Sequence, residues 1–182
     1  MKEENSALKK LTPFAGLPVI AGAYLVVMIT THDWFTITRA LMLIVFGYIA
    51  SYSDLRTRLV PNKLVLAMLV AWLSVTALYI LIDIQSAMGF LLPSLIGGLS
   101  GGGFFLIMYL ISGKGIGGGD IKLITVIGLF LTFAKLLPML FISSLLIALF
   151  AGALLLMKKA TMKSAIPMVP FLYAGVLVVL FV

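Results

Sequence analysis

Two short stretches of this sequence carry carboxylates where a greasy chain has little use for them. The first is SDLRTRLVPNKL, residues 53–64, in which Asp54 directly follows an apolar run and is trailed by Arg56 and Arg58. The second is GKGIGGGDIK, residues 113–122, where Asp120 ends a loop with five glycines among its ten residues and Lys122 follows two positions on. An ionisable residue at the edge of an apolar segment calls for a partner or a function. Two carboxylates held close cannot both ionise easily, so the pair shares a proton. The ionised member can then activate a water while the protonated member polarises a carbonyl oxygen, which is the chemistry of the aspartic proteases.

The rest of the chain offers little competition. Of six acidic residues, Glu3 and Glu4 lie in a polar N-terminal stretch, and Asp33 and Asp83 read as solvated turn residues. The only histidine, His32, reads as an interfacial loop residue, and no serine or threonine has a neighbouring base to activate it. There is no cysteine, which excludes disulfides, thiolate catalysis and cysteine-based metal sites, and with a single histidine no metal site is expected. Gly113, Gly115 and Gly118 fit G-x-G-x-x-G. A dinucleotide site also needs a preceding strand and a later acid, however, and no acid follows Asp120. No cofactor is expected.

The elements that must hold these aspartates are membrane helices. The chain is 63% hydrophobic and 10% charged over 182 residues, too little polar surface to coat a water-soluble core. Apolar runs at 14–31, 38–53, 63–82, 87–111, 120–134, 137–157 and 166–182 predict an all-α, polytopic membrane bundle of six to seven helices, the second and fifth runs being short for a span. The net charge of +7 could suggest nucleic acid, but the cations sit in short loops between spans, where they set orientation; no nucleic acid is expected. With the N-terminus in the cytoplasm, eleven of the thirteen cations fall on the cytoplasmic side, leaving only Arg39 and Lys135 outside. The same topology puts both Asp54 and Asp120 at cytoplasmic helix ends and the C-terminus outside.

Local signals refine this. Pro61 stops any helix, and Asn62 is expected to cap the next one, beginning near Lys63. Glycines 115, 117, 118 and 119 are expected to free the Asp120 backbone for positive φ and for close approach to a peptide. Lys122 could orient Asp120 or serve only as an orienting charge. The pairs Gly97/Gly101 and Gly98/Gly102 predict close helix packing. These residues alone leave two alternatives to a protease open: a non-catalytic proton site in a membrane transporter, or a site in an assembly protein.

Taken together, DLRTRLVPN and GGGDIK resemble the motifs of the type IV prepilin peptidases, Gly-x-Gly-Asp aspartic endopeptidases, over roughly residues 40–182. Asp54, Arg56, Pro61 and Asn62 match the first motif, with Val60 in place of the more usual Ile. Gly117, Gly119, Asp120 and Lys122 match the second. The aspartates stand 66 positions apart. A third segment, IPMVPFLYAG at 166–175, is similar to the family's Pro-Phe-Gly-Pro-Phe-Leu, with Met168 and Val169 replacing Phe-Gly.

The resemblance implies an endopeptidase of the cytoplasmic membrane that cuts a basic leader from prepilins or pseudopilins, just before their hydrophobic helix. Asp54 and Asp120 would be catalytic. Arg56, Pro61, Asn62, Gly117, Gly119 and Lys122 would shape the loops or bind substrate. It implies three regions: a tail at 1–13, an extra helix and external loop at 14–39, and the peptidase-like part at 40–182. The methyltransferase activity of larger members is not expected here, since the sequence has no cysteine. A presenilin-type protease is the other Gly-x-Gly-Asp alternative, but Ser53 rather than Tyr precedes Asp54.

Overall fold

The computed structural model describes residues 20–24, 33–111, 117–157 and 166–181, and nearly all of them are helical. The predicted tail, most of the predicted span 14–31, His32 and Gly115 lie outside the described residues. Helix α1 is Trp34–Thr57, α2 Asn62–Ile82, α3 Ile84–Ile111, α4 Gly118–Leu156 and α5 Val169–Phe181. Four of the five are long and apolar enough to cross a membrane, α5 being shorter. The outward faces agree: Leu81, Leu99 and Leu156 are 83%, 74% and 86% exposed, a perimeter suited to lipid. The chain is a multi-pass membrane bundle.

The ends of these helices follow from local chemistry. Asp33 opens α1 by accepting the Thr36 N–H, and Asp83 opens α3 by accepting the Ser86 N–H at 3.1 Å. Arg58 closes α1 in the left-handed region at φ 53°, its N–H returning to the Asp54 carbonyl. At the start of α2 the expectation needs correction. Pro61, not Asn62, holds the cap position, its carbonyl accepting from Leu64 and Val65, so Asn62 is already helical and its side chain is available for another bond.

The predicted segments 120–134 and 137–157 form the single long element α4, broken at Thr132, whose φ of 66° and ψ of 168° are not helical. A straight helix would hold residues 124 and 136 about 18 Å apart. Instead, a Cβ placed on Gly101 of α3 would lie 3.2 Å from Ile124 and 3.0 Å from Leu136, so the chain doubles back at Thr132. The two halves of α4 therefore form a hairpin against α3. The glycine pairs permit this closeness: a Cβ on Gly97 would stand 2.5 Å from the Gly128 carbonyl, and one on Gly128 equally close to that of Gly97.

A helix that stops inside a membrane leaves carbonyls without partners. Three helices supply donors here. Trp72 of α2 and Ser94 of α3 both donate to the Leu129 carbonyl, and Arg39 of α1 donates to that of Phe130 at 2.9 Å. Arg39 is held in place over the Phe90 ring, 3.8 Å from its centroid. Lys135 likewise donates to the Val179 carbonyl near the end of α5. Arg39 and Lys135 thus gather at one end of the bundle, while Arg56, Arg58, Lys63 and Lys122 belong to the helix ends around the aspartates at the other.

Candidate active site

Asp54 lies in the last turn of α1 and is buried, 6% exposed, although α1 ends only three residues later. Its burial is compensated by α5. The Val169 N–H donates to Asp54 Oδ2 at 3.0 Å. Val169 is the first residue of α5, so this amide is one of the free N–H groups of a helix N-terminus, where negative charge is favoured. The Ser51 hydroxyl, one turn earlier on α1, donates to the Val169 carbonyl and holds the same segment from its other side.

Asp120 lies in the first turn of α4, two residues beyond its start. It is half-buried, lies within the electrostatic field of Asp54, and hydrogen-bonds the Gly117 backbone. An acid three residues after a helix cap can reach back to the cap's own N–H. Glycine at the cap leaves the carboxylate room: a Cβ on Gly117 would stand 3.0 Å from Asp120 Oδ2 and would oblige it to shift slightly. The expected positive φ is not found at Gly117, whose φ is −69°, nor is it seen at Gly118 or Gly119. α4 starts directly from this segment, so its backbone is extended and then helical. What glycine supplies is close approach.

The two motif loops dock on each other at two places. A Cβ on Gly119 would sit 3.4 Å from both the Cβ and the carbonyl oxygen of Val60. Any longer side chain would therefore push against the loop between α1 and α2. Lys122 Nζ donates to Asn62 Oδ1 at 3.1 Å, joining residues 60 positions apart. This is where the side chain released by the Pro61 cap is used. Lys122 therefore engages the first motif through Asn62.

Arg56 and Arg58 are exposed, and among the described residues neither forms an ion pair with the aspartates; Arg56 lies over the Tyr52 ring. The loop behind Asp54 is shaped instead by Ser53, whose hydroxyl donates to the Leu59 carbonyl, and by Thr57, whose single hydroxyl proton lies between the Ser53 and Leu59 carbonyls, nearer the former. Sequence reasoning missed these two residues and the Val169 amide. A side-chain motif carries no signal for a backbone donor, although the segment at 166–175 had pointed to the right part of the chain.

An apolar groove of about 780 Å³ runs between α3 and the second half of α4 and reaches Met168, the neighbour of Val169. It is lined mainly by Phe104, Phe105, Leu137, Leu140 and Phe141.

Comparison with known proteins bears on the same region. Residues 41–152 match the type IV leader peptidase family. A Bacillus subtilis (strain 168) protein named prepilin leader peptidase/N-methyltransferase is 31% identical over 127 residues, covering 70% of this chain and 48% of the relative. The match thus spans about half the length of that relative. No solved structure matches the chain.

Proposed function

This chain belongs to the type IV leader peptidase family, and from that premise we propose that it is an aspartic endopeptidase that removes the leader from a prepilin-type precursor. What supports the reading is the docking of the two loops that carry the acids: Asp54 takes the first amide of α5, Asp120 lies in the first turn of α4, and the segments beside them meet at Val60 and Gly119 and at Asn62 and Lys122.

A water held between the two carboxylates is the nucleophile. One aspartate takes its proton as it attacks the scissile carbonyl carbon, and the other, protonated, donates to the carbonyl oxygen. The tetrahedral intermediate then collapses as a proton passes to the leaving amine. Helix N-termini behind both acids stabilise negative charge during these transfers. The substrate's apolar helix lies along the groove between α3 and α4, which brings the peptide bond preceding that helix toward Val169 and Asp54. Cleavage occurs on the cytoplasmic side, in keeping with the basic helix ends around the site. The relative's second named activity, methyl transfer, is not part of this proposal.

The test is co-expression with a prepilin from the same genome, comparing wild type with Asp54→Asn and Asp120→Asn. Asparagine keeps the shape but cannot carry or share the proton. Wild type shortens the precursor and each variant leaves it full length at equal protein levels. Continued cutting by either variant refutes the dyad.

A further inference from the structure

The bundle end opposite the aspartates holds a second polar site that peptide cleavage does not use. A cavity of about 310 Å³ lies between α1, the turn of α4 and the end of α5, and Arg39 and Lys135 both line it. Counting donors shows what it lacks. A guanidinium has five N–H groups. Arg39 places one on the Phe130 carbonyl and one, at 3.4 Å, on Thr36 Oγ1, while its Nε is buried without a partner. A lysine ammonium has three donors; that of Lys135 reaches the Val179 carbonyl at 3.3 Å.

Neither cation forms an ion pair among the described residues. Asp33, the acid at this end of α1, is exposed, with its carboxylate on the Thr36 N–H. Among the described residues, the cavity lining therefore holds two positive charges and no carboxylate. An arginine fork matches the oxygens of phosphate.

Its depth fits as well. Trp34, 45% exposed and packed edge-on against Tyr79, marks a membrane interface at the start of α1. Arg39 lies about 7.5 Å further along that helix, within reach of headgroup oxygens.

We propose that this cavity binds one phosphate-bearing anion, whose oxygens take the open donors of Arg39 and Lys135. The cavity has room for a headgroup as well as for a bare phosphate.

The test uses the full chain, purified in detergent and titrated separately with short-chain phosphatidylglycerol, phosphatidylcholine and inorganic phosphate. Thermal unfolding and native mass spectrometry are the readouts. Saturable stabilisation with one bound phosphatidylglycerol, unmatched by phosphatidylcholine, identifies a lipid headgroup site. Saturable stabilisation by inorganic phosphate identifies a free-anion site. In either case Lys135→Gln weakens binding about tenfold, the effect of losing one charged hydrogen bond. Arg39→Gln abolishes it. Because Arg39 also caps α4, Lys135→Gln keeps the proposal falsifiable if Arg39→Gln fails to fold. The proposal is overturned if neither anion stabilises wild type, or if Lys135→Gln binds them as wild type does.

Discussion

The bond between Lys122 and Asn62 offers a quantitative handle on how the two motifs are held together. It is a 3.1 Å contact from a charged donor to a neutral acceptor, between two exposed residues. Bonds to charged groups contribute about 1.5–3 kcal/mol when protected. Solvent competition at this position lowers that to about 1 kcal/mol. The contact biases the docking of α4 on the loop that precedes α2, and its loss lowers the docked-to-undocked ratio about fivefold.

Lys122→Met and Asn62→Ala should therefore each lower kcat/KM for leader cleavage by up to about fivefold. The double variant should do no worse than either single one, because both remove the same bond. Asn62→Asp, which keeps an acceptor and adds a charge, should retain activity near wild type. The assay is timed cleavage of a purified precursor in detergent or nanodiscs at matched enzyme levels. A double variant down about 25-fold, the product of two independent effects, would refute the clamp and leave Lys122 as an orienting charge.

Other consequences can be measured in the same system. Val169→Pro should cut the rate about 10- to 100-fold, because proline suits the first position of a helix and removes little except the N–H on Asp54; Val169→Ala, which keeps that N–H, should stay near wild type. Gly128→Leu would force a side chain onto the Gly97 carbonyl and should destabilise the protein by about 1–3 kcal/mol, seen as a lower thermal midpoint in detergent. Trp72→Phe or Ser94→Ala alone leaves the Leu129 carbonyl one donor, so each should cost less than about 1 kcal/mol. The double variant strands that carbonyl and should lose more than the sum of the two.

The sequence by itself determined the helical membrane class, because apolar runs of span length admit few other structures in lipid. It also singled out Asp54 and Asp120 as the candidate acids, since these two stand at apolar boundaries beside basic residues. Most helix limits were legible to within a few residues, because Pro61, Asp83 and the glycine loop punctuate the chain.

Other features depended on contacts that no local pattern encodes. The reversal at Thr132 was placed at residues 135–136 by hydropathy, which does not change across the turn. The position is decided by Arg39, Trp72 and Ser94, which come from three other helices to take up the carbonyls of residues 129 and 130. Asn62 was expected to be a cap because it follows proline. It became a tertiary acceptor because the Pro61 carbonyl already accepts the first amides of α2. The Val169 amide on Asp54 had no side-chain signature, since a backbone donor looks the same at every position until the fold directs one at a carboxylate. Sequence thus named the candidate groups through their chemical type. Only the tertiary structure decided what surrounds them, because an environment is built from residues that are neighbours in space and strangers in the chain.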